Sequence, residues 1–139
     1  MKKLIVLFLC VVLVLSASLP AYAANARMSH GIYCDYDFYI GSSGSAEVSV
    51  YYEGNATTFT DITVETYIQK RTLGFIWTKV DNGEPNKTWV DTSTSRTGTF
   101  IHDLQLDSTG TYRAVFTVTF SGIGASSDVI ENEIEDVYS

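Results

Sequence analysis

The residues outside the leader best suited to nucleophilic or metal chemistry are Cys34, His30 and His102. A cysteine paired with a histidine supplies a thiol nucleophile and a base, but the pair also needs a third group to orient the imidazole. No such group can be named for Cys34 and His102. Cys34 also shares a period-two face with Ile32, Tyr36, Phe38 and Ile40, which predicts a core-facing thiol behaving as a small hydrophobe. The run Gly41-Ser42-Ser43-Gly44-Ser45 lacks the spacing of a nucleophile elbow and reads as a turn. Two histidines in distant segments, with no H-E-x-x-H, are a poor zinc set. Acidic groups recur at Asp35 and Asp37, at Asp81-Asn82-Gly83-Glu84, and at Glu131, Glu133, Glu135 and Asp136. Calcium needs about six to eight oxygens from a shaped loop, and the D-x-[DN]-x-[DN]-G pattern is missing. These acids read as solvated turns and tail. None of the sixteen acidic residues sits in a recognisable glycosidase setting. The expectation is a non-enzyme with no catalytic residue, no metal and no cofactor.

The aromatic residues point to binding. Tyr51, Tyr67, Trp77 and Trp89 lie on or beside strand-like segments with apolar or aromatic character on both faces. In Phe75-Ile76-Trp77-Thr78-Lys79-Val80, Phe75 and Trp77 share one face and Ile76 and Val80 the other. Only one of these faces can meet the core of a two-layer fold. A flat exposed aromatic strip suits sugar rings or a protein surface. Those four residues are the candidate ligand contacts. Alternation places Trp77 largely in the core, whereas Trp89, following the polar Glu84-Pro85-Asn86-Lys87, is expected partly exposed.

The elements that would carry these side chains are strands. Period-two alternation of β-branched and aromatic residues marks Ile32 to Ile40, Ser45 to Tyr52, Asp61 to Arg71, Phe75 to Val80, Lys87 to Val90, Thr97 to Leu104, Thr111 to Phe120 and Asp128 to Ile134. Glu53-Gly54-Asn55 and Leu73-Gly74 read as turns, and Asp81-Asn82-Gly83 as a hairpin cue. Asn55-Ala56-Thr57 and Asn86-Lys87-Thr88 match the glycan acceptor pattern and read as turn residues. No helical period competes. The fold class is all-β: a single immunoglobulin-like β-sandwich of about seven to eight antiparallel strands, preceded by a signal-peptide helix.

Met1-Lys2-Lys3 followed by the apolar run Leu4 to Leu15 is a secretory leader, within the ~7–15 residues of an h-region and short of the ~20 that span a bilayer. Ala21-Tyr22-Ala23 supplies the small-x-small site, predicting cleavage between Ala23 and Ala24. The domains are therefore a signal peptide over 1–23 and a secreted sandwich over 24–139. Cys10 lies inside the apolar run without the small residues that lipid attachment needs. The acidic end Ile130 to Ser139 carries no hydrophobic anchor signal. Cys34 remains as the one cysteine, so no intrachain disulfide is expected. The net charge of −7 becomes two units more negative when Lys2 and Lys3 leave. That disfavours nucleic acid and anionic membrane surfaces as partners.

Asp107-Ser108-Thr109-Gly110-Thr111-Tyr112-Arg113-Ala114 resembles the corner before a late strand of immunoglobulin-like domains. There a tyrosine packs into the core and its hydroxyl bonds to backbone upstream. It departs from D-x-G-x-Y-x-C by one extra residue between Asp107 and Gly110, and by Ala114 in the cysteine position. The longer stretch from Thr66 to Phe120, with TYIQKRTLGFIWTKVDNGEPNKTWVDT and LDSTGTYRAVF, resembles small exported, uncharacterised proteins of Gram-positive gut anaerobes. That resemblance implies a bacterial, extracellular sandwich and carries no site residues. The expected function is a secreted non-catalytic module binding a glycan, a cell surface or another exported protein. The alternatives are a structural, self-assembling extracellular protein and, third, an unrecognised hydrolase.

Overall fold

The computed structural model describes residues 28–139. The leader, Cys10 and the cleavage residues Ala21, Ala23 and Ala24 lie outside the described residues. Eight strands follow in order: β1 (Gly31–Ile40), β2 (Ser45–Gly54), β3 (Phe59–Thr72), β4 (Ile76–Lys79), β5 (Trp89–Ser93), β6 (Thr97–Gln105), β7 (Gly110–Gly122) and β8 (Asp128–Tyr138). All eight alternating segments are strands, with ends displaced by a few residues. They form two antiparallel sheets, β1-β2-β6 and β4-β3-β7-β8, with β5 also pairing to β3. Two packed antiparallel sheets of this kind make an immunoglobulin-like sandwich.

Alternation explains the core. Ala46, Val48, Val50 and Tyr52 of β2 face Ile62, Val64 and Ile68 of β3 and Ala114, Phe116, Val118 and Phe120 of β7, all buried. Each is every second residue of its strand, so one face of each sheet closes on the other. Tyr112 is buried at the start of β7, and its hydroxyl donates to the Ser108 carbonyl at 2.5 Å. Tyr52 bridges layers similarly, donating to the Ser95 carbonyl at 3.1 Å.

Three local expectations change. Ile32 faces solvent, because a bulge between Gly31 and Tyr33 inserts one residue and shifts its face. Cys34 is half-buried rather than enclosed, and burial pushes its thiol above the ordinary range. Asp81-Asn82-Gly83 is not a hairpin. β4 pairs with Gln69 to Thr72 and β5 with Ile62 to Thr66 along the same edge of β3. The two run in one direction, so the chain between Lys79 and Trp89 is an excursion from a single interrupted edge. Its short 3₁₀ turn at Pro85–Lys87 contains Asn86 and Lys87 at positive φ. At Gly122 a side chain is impossible: a Cβ would collide with the Thr58 carbonyl and the ring of the fully buried His30.

β1 and β8 are the outer strands on one side of the sandwich and lie side by side without ladder hydrogen bonds between them. Carboxylates bridge them instead. Asp128 accepts from the backbone N–H of Ser29, His30 and Gly31 at 2.6–3.0 Å, and Asp136 accepts from Ile40 at 2.8 Å.

Candidate functional site

The structure separates the four aromatic candidates. Tyr67 and Trp77 share the outer face of the five-stranded sheet, Tyr51 lies on the outer face of the other sheet, and Trp89 is in the core. The two tryptophans reverse their expected burial: Trp89 is 7 % exposed and Trp77 is half-buried on the outer face. Loop length is the physical reason. Thr72 pairs with Ile76, so Leu73, Gly74 and Phe75 form a three-residue turn, with Leu73 and Gly74 at positive φ. Trp77 then stands opposite Arg71, an outward residue. A two-residue turn would move every β4 side chain to the other face. Phe75 is in the turn and 76 % exposed. β5 rejoins the sheet with Trp89 opposite the inward Thr66, and its indole stacks on His102 of β6 at 4.8 Å and 3°.

On the outer face each aromatic ring is met by a cation of the same chain. The Arg113 guanidinium lies 4.3 Å and the Arg71 guanidinium 5.7 Å from the Trp77 ring centroid. Lys79 Nζ lies 3.9 Å from the centroid of Tyr67. Arg113 is held by Gln69 Oε1 at 2.8 Å and Glu133 at 2.9 Å. Lys79 donates to Thr88 Oγ1 at 2.9 Å and to the Asn86 carbonyl at 3.4 Å. The lysine thus ties the excursion to the sheet.

Tyr67 forms a wall of two open grooves. One, of about 490 Å³, runs beneath the excursion and is lined by Glu65, Lys79, Glu84, Asn86, Thr88 and Val90 among others. The second, of about 390 Å³, crosses toward β8 between Val115, Thr117, Glu131, Asn132 and Glu133. Both lie in the ~300–1,000 Å³ range of small-ligand clefts. Carboxylates, two amides, hydroxyls, the Lys79 ammonium and one aromatic ring line this track, a set suited to accepting hydrogen bonds from and donating them to a polyhydroxylated ligand.

Cys34 and His102 are not brought together. They occupy β1 and β6, the two outer strands of the three-stranded sheet, and through β2 their register differs by four residues. His102 instead meets Asp91 of β5, Nε2 to Oδ2 at 2.6 Å, in a contact that closes the β5–β6 side of the sandwich. The sequence reading missed this pair; its one signal is that Trp89 and Asp91 share strand parity, as do Phe100 and His102. The described contacts bring no hydroxyl or thiol to the other ring nitrogen. Tyr36 Oη, beside Cys34, is buried without a hydrogen-bond partner. Burial, reinforced by Cys34, holds the phenol above its usual range. Asp35, Asp37 and the Asp81 loop lie at the surface, and among the described residues no three His, Cys, Asp or Glu side chains group as a metal set.

No family model matches the chain, and no curated protein matches it. Among solved structures, a CARDB domain from Pyrococcus furiosus, determined in complex with di-metal ions, aligns over 80 % of this chain and 92 % of its own length, at 16 % identity and a TM-score of 0.43.

Proposed function

We propose that the protein is an exported, non-catalytic binding module that takes a glycan across the outer face of its five-stranded sheet. The observation that carries this reading is Tyr67, whose ring is shared by two grooves lined with carboxylate, amide and hydroxyl groups. Lys79 covers the ring from within the first groove, so it is in the second groove, beside Val115 and Thr117, that the ring is open to a sugar. Trp77 is a support rather than a platform, because Arg113 and Arg71 already pack against it. Export rests on the leader, and among the described residues no helix is long and apolar enough to cross a membrane.

The test is titration of the mature chain, from Ala24 onward, with soluble cell-wall polysaccharide fragments and host-type glycans by calorimetry. Tyr67→Ala should weaken binding of a responding glycan at least tenfold while the melting temperature stays close to wild type. A half-exposed ring contributes little to stability, whereas a stacked ring contributes much to a sugar complex. A glycan that binds the variant as well as the wild type overturns the assignment of this face. So does the lack of saturable binding across both sets.

A further inference from the structure

The outer face of β1-β2-β6 has a different chemistry. Cross-strand register pairs each of its tyrosines with a carboxylate: Tyr33 with Glu53, Tyr51 with Asp35, and Tyr39 with Glu47. Tyr33, Tyr39 and Tyr51 are 49 %, 63 % and 41 % exposed, large values for aromatic side chains. Tyr33 and Tyr51 lie with ring centroids 6.1 Å apart, so the rows are in contact. Asp37 and Asp103 extend the negative rows, and Ile101, exposed on β6, adds apolar surface beside Ser49.

β1, β2 and β6 contain no lysine or arginine. The described ion pairs are His102–Asp91 and Arg113–Glu133, so none neutralises this face. Arg96, in the turn before β6, joins neither pair. The opposite sheet shows what fills such positions in this protein. There Trp77 carries Arg113 and Arg71, and Tyr67 carries Lys79. Tyr33, Tyr39 and Tyr51 have no such cation among the described residues. Ring and carboxylate together attract a cation through the ring quadrupole and through charge-assisted hydrogen bonding. Rows on a strand recur every second residue, roughly 7 Å, which matches alternate side chains of an extended polypeptide.

We propose that the outer face of the three-stranded sheet docks an extended Lys/Arg-rich polypeptide segment, whose basic side chains take the tyrosine–carboxylate pairs that the described residues leave unfilled. This site lies on the other sheet from the glycan track and does not depend on it.

The experiment titrates the mature chain into a fluorescein-labelled decapeptide alternating lysine with serine, followed by anisotropy at low and physiological salt. Saturable binding should survive physiological salt. Tyr51→Ala and Tyr39→Ala should each weaken it about two- to fivefold, as expected for exposed cation–aromatic contacts. Tyr51→Phe, which keeps the ring, should leave it unchanged. Glu47→Gln should weaken it, whereas the double variant Glu131→Gln/Glu133→Gln, on the opposite sheet, should not. Circular dichroism confirms that each variant is folded. Equal losses from the Glu131/Glu133 variant would show diffuse attraction by net charge and overturn the proposal. Binding indifferent to Tyr39→Ala and Tyr51→Ala, or confined to low salt, overturns it as well.

Discussion

Tyr112 and Trp89 show how single side chains settle the inside of this domain. Tyr112 is fully packed, and its hydroxyl satisfies the Ser108 carbonyl in the turn before β7. Tyr112→Phe removes the donor and leaves a part-buried acceptor unpaired, so it should cost about 1–3 kcal/mol in urea unfolding. An unchanged midpoint would refute the anchoring role. This residue was legible because Asp107, Gly110 and Tyr112 form a local pattern whose chemistry is complete within a few positions. Trp89 was not legible. Its polar upstream neighbours suggest exposure, but its face is decided by pairing with Thr66, a residue 23 positions earlier in the chain. With its indole sealed against His102, Trp89→Ala should destabilise by roughly 3–5 kcal/mol. The emission of a Trp77→Phe variant, which reports Trp89 alone, should be blue-shifted and shielded from iodide. A solvent-quenched signal would return Trp89 to the surface.

At the scale of elements, period-two alternation found all eight strands because the central strands β2, β3 and β7 bury one face against the core and the edge strands keep the same period, even β4, whose Ile76 stays exposed. Alternation is silent on which strands are neighbours and on the length of a turn to within one residue. Those two quantities put Trp77 outside, placed Asp91 against His102 and converted the Asp81 turn into an excursion over Tyr67. The candidate site was therefore half visible: Tyr67 could be named, but the grooves on either side of it, one beneath the excursion and one toward β8, arise only from register. The join between β1 and β8 was equally hidden, since Asp136 read as a tail acid and Asp128 only as the start of the last strand. Burial raises the Asp128 carboxyl, but the three backbone donors at Ser29, His30 and Gly31 and the nearby His30 outweigh it, holding the group below the usual carboxylate range. A carboxyl lowered in this way contributes stability above the ordinary carboxylate range, and that contribution is lost as pH falls through its folded value. Melting curves from neutral pH downward should show Asp128→Asn less stable at neutrality, with the gap closing in acid. A gap independent of pH would mean that the carboxylate's charge plays no part.

Across the whole molecule, charge and aromatic surface are distributed by sheet. The five-stranded sheet supplies cations for its own rings, and the three-stranded sheet supplies none. The sandwich thus offers two dissimilar faces at once, one shaped by grooves and one patterned by rows. The two proposed sites lie on opposite sheets, so a chain that filled both would connect a glycan to a basic polypeptide without competition between them. Such a connector would bear tension, and the carboxylate join decides how it yields. β1 and β8 run in the same direction, with Ser29 to Gly31 beside Asp128 and Ile40 beside Asp136, so a pull on residues 28 and 139 slides the two strands past each other lengthwise. The sliding contact consists of side-chain bonds to two carboxylates instead of a continuous backbone ladder. Under load this join between β1 and β8 gives way before the ladder that holds β1 to β2, and the force it resists falls as pH drops through the lowered range of Asp128.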